Sequence, residues 1–323
     1  MSVMRRRFKK VGMSLVLIFI LGGFLFLWIL SGQILSPKRR DLVAYHDDFL
    51  NDASGHGITI ETRSYCEGKV PLLVVRPDAA AGIAERGERL RSQLKEREVT
   101  LGEFGEENKV VVLLHGRTGR KEDLLPIAER FCAVGMICLL PDLPAHGESE
   151  LEQVSYGSSE FERLLPGAVL REFRAETGCD FPALLWGMSM GGSFAIHSAF
   201  EEPELWERLV IVSSFDSLVG VLGDSWVGWF LPVIKKLVSW RGGLELEEVR
   251  PVDLAASLKV PTLLVHGDAD DLIVLSRGQA LYEAFAGEKK FVKVPGGTHS
   301  NVLVTEAPVF AEMAEWYLGA EAF

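Results

Sequence analysis

The chain has 323 residues, 48% of them hydrophobic, with 34 Lys/Arg against 45 Asp/Glu and a formal net charge of −11. That length and apolar content suit one large core-forming domain and exclude a disordered or fibrous chain. The acid excess speaks against a nucleic-acid partner, and four cysteines in so long a chain do not make a disulfide framework.

Residues 11–30 carry no charge. At about 1.5 Å per residue they span roughly 30 Å as a helix, the depth of a bilayer's hydrocarbon. Arg5, Arg6, Arg7, Lys9 and Lys10 precede the run, and Lys38, Arg39 and Arg40 follow it. Five basic residues against three predict a cytoplasmic N-terminus and an extracytoplasmic domain. A cleaved signal peptide with a secreted product is the competing expectation. Against it, the apolar run is longer than the usual core of about 7–15 residues, and no A-x-A-like site follows. Residues 1–40 hold eight Lys/Arg and no acid, so the remainder holds 26 Lys/Arg and 45 Asp/Glu.

Residues 58–65 and 72–76 read as strands. Residues 79–108 are charged and weakly periodic, which predicts a solvated surface excursion with one short helix over 83–97. From 110 an alternation begins. Strands are expected at 110–114, 137–140, 183–186, 209–212, 262–266 and 291–294. Between and after them, helical spacing appears at 124–134, 161–176, 189–200, 276–286 and 307–318. Pro166 predicts a late start or a kink in the helix over 161–176. Cys132 and Cys138 fall in apolar helix and strand patterns and read as buried thiols. Residues 213–258 interrupt the alternation with Trp226, Trp229, Phe230, Val233, Ile234, Leu237 and Trp240 at roughly helical spacing. This segment is expected to form a helical cap, with Pro232 at a bend or a new start. The alternation predicts an α/β fold with a mainly parallel, doubly wound sheet. In such sheets ligands sit at the carboxyl ends of the strands.

Gly187-Met188-Ser189-Met190-Gly191-Gly192 carries the most information. It joins an expected strand to an expected helix, so a serine occupies the apex of a sharp strand–turn–helix element. Two other reactive residues also follow expected strands. Asp270 lies in His266-Gly267-Asp268-Ala269-Asp270, and His299 lies in Pro295-Gly296-Gly297-Thr298-His299-Ser300. The chain order is Ser, Asp, His. With His115-Gly116, Pro141-Asp142 and His146-Gly147-Glu148-Ser149, these motifs resemble the α/β-hydrolase fold family over residues 58–320.

The resemblance implies a serine hydrolase of esterase or lipase type. Serine holds its proton at neutral pH, so an imidazole must accept it and later return it to the leaving group. Ser189 is the expected nucleophile, His299 the base and Asp270 the residue that orients His299. The Met190 N–H, just after the nucleophile, is an expected oxyanion donor. The resemblance implies Arg117 N–H as the second. Asp268 and Asp216 compete for the acid role; the H-G-x-x-D spacing selects Asp270. By resemblance Asp142 and His146 brace a loop, and His115 positions the oxyanion turn. His197 and His266 read as core histidines.

The expected organisation is a basic tail and transmembrane anchor over 1–40, then a hydrolase domain over 41–323. The expected partners are a small-molecule acyl substrate and, through the N-terminal helix, the lipid bilayer. No sequence feature calls for a metal, nucleotide or flavin. Two further readings remain open: a serine peptidase or amidase, and a binding module on a hydrolase scaffold.

Overall fold

The computed structural model describes residues 2–305 and 308–319. The chain opens with α1 (Ser2–Leu35), the long apolar helix, and then α2 (Ala44–Asn51). Two strands follow, β1 (Ile58–Tyr65) and β2 (Val70–Pro77), then α3 (Glu85–Glu96). Strict alternation runs from β3 (Lys109–Leu114) through α4 (Leu125–Cys132), β4 (Met136–Pro141), α5 (Glu160–Thr177), β5 (Ala183–Met188) and α6 (Met190–Glu201) to β6 (Arg208–Val212). Three helices interrupt it: α7 (Leu218–Asp224), α8 (Leu231–Gly242) and α9 (Pro251–Ala255). The chain closes with β7 (Thr262–Gly267), α10 (Leu275–Ala284), β8 (Lys289–Val294) and α11 (Val309–Leu318). The expected start of the last helix at residue 307 lies outside the described residues.

The eight strands form one sheet in the order β1-β2-β4-β3-β5-β6-β7-β8. β1 and β2 pair antiparallel, as do β2 and β4; every other pair is parallel. Strands β3 to β7 are buried on both faces, which explains their apolar runs, while the edge strand β8 is partly exposed and carries three lysines. One hydrophobic layer joins that sheet to α5, α6, α8 and α10 through residues such as Val169, Phe194, Ile234 and Leu281. The layer on the other face uses α2, α3, α4 and α11, with Phe49, Leu90, Phe131 and Tyr317. This is the α/β-hydrolase architecture.

Two expectations need correction. The charged excursion is not simply solvated: α3 buries Leu90 and Leu94, an i,i+4 pair, and Arg97 just beyond it bonds Glu312 and Glu315 on α11. The many charges of that helix obscured a narrow apolar stripe. Pro166 does not delay the start of α5. The helix starts at Glu160, where Ser159 Oγ accepts the Glu162 N–H at 3.4 Å, and Pro166 lies buried inside it. Burial of Leu165, Val169, Leu170 and Phe173 on the same helix outweighs the missing donor. Pro232 does mark a new start, in the first turn of α8. Cys132 and Cys138 are buried free thiols.

α1 is not detached from the rest. Ile34 and Leu35 join the core, and three groups take its last carbonyls. Arg117 Nη2 donates to Gln33 O at 2.7 Å, Tyr156 Oη to Ile34 O at 2.9 Å, and Val154 N–H to Leu35 O at 2.8 Å. These are the carbonyls that a helix end leaves without intrahelical partners. Arg241 of α8 reaches Trp28 O and Ser31 Oγ and lies over the Trp28 ring at 4.1 Å. Gly32 makes room for that guanidinium, because a Cβ there would stand 2.9 Å from Arg241 Nη2.

Candidate active site

Parallel strands end at one edge of the sheet, and each of the reactive residues follows such an end. β5 pairs with both β3 and β6, so Ser189 emerges at the centre. Its backbone has φ 54° and ψ −118°, a conformation that costs a non-glycine residue roughly 1–3 kcal/mol. The surroundings hold it there. Ser189 N–H donates to Val212 O at 2.8 Å, and Ser214 Oγ donates to Ser189 O at 2.8 Å. Glycines admit the close approach around it. A Cβ at Gly187 would overlap the Gly191 carbonyl, and one at Gly191 would overlap the Leu114 carbonyl.

Asp270 follows β7 and its side chain is fully buried. Its Oδ1 accepts the Leu272 and Ile273 N–H groups at 3.1 and 2.9 Å. Its Oδ2 lies 2.9 Å from His299 Nδ1. Burial alone would raise this carboxyl, but the bonds from His299 and the Ile273 N–H overcome it and hold the group below its ordinary range. An ionised Asp270 makes His299 Nδ1 the donor, which leaves Nε2 for the cavity that His299 and Ser189 both line. Ser189 Oγ and His299 share no direct hydrogen bond among the described residues. Such pairs are often open before a substrate closes the site.

The competing acids are occupied elsewhere. Asp268 Oδ1 accepts the Gly296 N–H at 2.7 Å. Asp216 accepts from Arg277 Nη1 at 2.9 and 3.1 Å. The remaining histidines serve the frame. His115 Nε2 accepts the Leu143 N–H at 3.1 Å, so Nδ1 donates to Gly116 O at 2.9 Å and fixes the turn after β3. Burial lowers its pKa and keeps the ring neutral. His146 is held down to about 3, by burial first and then by the neighbouring His115. His197 bonds Ser193 O one turn back on α6. His266 donates from Nε2 to Ile273 O at 2.8 Å, behind Asp270. Asp142 takes the Lys121 N–H, the Lys121 Nζ and the Glu148 N–H at 2.8–2.9 Å, and so ties the β4 loop to the chain that follows the β3 turn.

Arg117 and Met190 both line the cavity beside Ser189. Neither N–H has a backbone acceptor among the described turns and loops. Met190 N–H is the first of α6, so no carbonyl four residues back awaits it. The Arg117 side chain is directed to α1, consistent with a role for its backbone alone.

The cavity has a volume of about 1060 Å³. Its walls include elements that local sequence pattern did not flag: Leu30, Gln33 and Ile34 of α1, and Tyr156. Tyr156 (φ 56°) and Gly157 (φ 92°) form a tight loop. Ser193 Oγ donates to Tyr156 O at 2.6 Å. Glu162 accepts the Ser155 and Gly157 N–H groups, each at 2.7 Å. Burial pushes the Glu162 carboxyl up from 4.5 to about 7, against those two donors. A carboxyl raised in the folded state keeps a proton that the unfolded chain has released. Stability should therefore fall as pH rises from about 4.5 to about 7, by roughly 2–3 kcal/mol, and level off above that. Glu162→Gln should remove this slope. Urea midpoints at pH 5 and pH 8 measure it, and an equal slope in both proteins would refute the assignment.

Known proteins agree with this architecture. The family model described as Serine aminopeptidase, S33 matches residues 105–249, and that described as Serine hydrolase (FSH1) matches residues 208–300. The uncharacterized protein Rv2307c of Mycobacterium tuberculosis is 24% identical over 218 residues, 66% of this chain and 71% of that protein. The uncharacterized protein YqkD of Bacillus subtilis is 25% identical over 200 residues, 59% of this chain and 64% of its own. Among solved structures, a Pyrococcus furiosus esterase, Pf2001, superposes with a TM-score of 0.57 at 18% identity, covering 89% of this chain and 96% of that one. A membrane phospholipase A superposes with a TM-score of 0.54 at 15% identity, covering 94% and 98%. The chain belongs to the α/β-hydrolase superfamily.

Proposed function

We propose that this protein is a membrane-anchored serine hydrolase that cleaves a carboxylic ester or a related acyl bond. The observation that carries the reading is the His299–Asp270 bond at 2.9 Å, set beside a serine in strained conformation on the same cavity. His299 Nε2 takes the Ser189 proton as Oγ attacks the acyl carbon. The Met190 and Arg117 N–H groups take the oxyanion, where one donor is worth about 2.7–4 kcal/mol. His299 then returns the proton to the departing alcohol, leaving an acyl group on Ser189. Water, deprotonated by the same ring, releases the acid and restores the hydroxyl.

The esterase and lipase folds among its structural neighbours support this reading, as do the two serine-hydrolase family models. The apolar window over residues 17–35, with a mean hydropathy of 2.2, supports the anchor. A fluorophosphonate should label the full-length protein at Ser189, and Ser189→Ala and His299→Ala should each abolish labelling. An unlabelled, well-folded wild type would overturn the proposal. Rates on short acyl esters against aminoacyl amides separate esterase from peptidase.

A further inference from the structure

The cap carries an apolar face that is largely exposed among the described residues. Trp229 is 89% exposed and Trp240 74%, and Trp226, Phe230 and Val233 add to the same segment. Exposed apolar surface of this size calls for a partner. Its position against α1 identifies one. Trp226 stacks on Phe26, with ring centroids 5.9 Å apart, and Trp240 meets Trp28 edge-on at 5.6 Å. Phe26 and Trp28 belong to the charge-free run, which continues to residue 37, and to its most apolar window, residues 17–35. Residue 26 is thus about 14 Å along the helix axis inside the end of that window. If α1 spans a bilayer, the cap aromatics that touch it enter the apolar layer beside it, where their exposed faces meet lipid. Arg241 fixes the arrangement by holding α8 to Trp28 and Ser31.

The cavity opens on the same structures. Leu30, Gln33 and Ile34 of α1 form one wall, and Leu218, Leu222 and Trp226 of the cap form another. Resting on the acyl-hydrolase reading above, we propose that the cap's aromatic face dips into the bilayer beside α1 and that the substrate is a long-chain acyl ester resident in the membrane. It passes between α1 and the cap, its chain lying along the apolar walls and its ester reaching Ser189. The ester C–O bond breaks, the alcohol leaves with the proton from His299, and water releases the fatty acid.

The test uses the full chain reconstituted in phosphatidylcholine vesicles. The substrates are monooleoylglycerol in the vesicle and p-nitrophenyl acetate in water. Trp229 and Val233 lie outside the cavity lining, so Trp229→Ser/Val233→Ser should lower monooleoylglycerol turnover at least tenfold while acetate turnover changes less than twofold. Trp229→Phe should restore turnover of the lipid. Phosphatidylcholine brominated on its acyl chains should quench the Trp fluorescence of wild type more than that of Trp229→Phe. Equal losses on both substrates, no loss, or equal quenching would overturn the inference. Absence of turnover on either ester, with quenching intact, would sink the hydrolase reading and leave the membrane-facing cap standing.

Discussion

Asp270→Asn should fold normally and lose about 10⁴-fold in kcat, equivalent to about 5.5 kcal/mol of barrier. The two N–H groups of Leu272 and Ile273 require an acceptor at Oδ1. An asparagine that satisfies them turns its NH₂ toward His299 Nδ1. That nitrogen must then accept, the ring proton moves to Nε2, and Nε2 can no longer take a proton from Ser189. Nearly isosteric geometry is kept while the tautomer is lost. Saturating ester kinetics with circular dichroism as the folding control measure the effect. Asp268→Asn and Asp216→Asn should stay near wild type in kcat, because their carboxylates answer to Gly296 and Arg277. A loss below tenfold in Asp270→Asn would mean that His299 is oriented by something else.

Gly191→Ala should destabilise the fold by at least about 3 kcal/mol. The added Cβ would overlap the Leu114 carbonyl and lie 2.7 Å from that of His115. Both carbonyls are backbone at the end of a central strand and have no rotamer by which to withdraw. The strain can relax only by moving α6 away from β3. That displacement would also part the Met190 N–H from the turn at Arg117, so activity should fall further than the folded fraction does. Urea unfolding and the ratio of labelled to folded protein report the two effects separately. A fully stable Gly191→Ala would show that the elbow is looser than its contacts indicate.

The sheet was legible because buried parallel strands write themselves as continuous apolar runs, and all six expected strands after residue 109 lie within observed ones. The placement of Ser189, Asp270 and His299 just beyond strand ends was legible because strand, turn and helix are local and their spacing is short. The packing of α3 was not, since two leucines among many charges give a weak signal. The cap was only half legible. Its helical spacing was readable, but not the direction of its aromatic residues: only Trp226 among its three tryptophans reaches the cavity, and Trp229 and Trp240 face outward. Helical spacing alone cannot tell an inward stripe from an outward one. The Tyr156 loop and the α1 wall depend on contacts over 122 and 84 residues of separation, which no window of sequence records.

The carbonyls of Gln33, Ile34 and Leu35 bear on how this protein can be handled. Cutting the chain just after them, to obtain a freely dispersed fragment, would strip Arg117, Tyr156 and Val154 of their acceptors and remove one side of the reaction chamber. A truncated form would then carry an altered cavity, with a different selectivity, rather than the same site without its N-terminal helix.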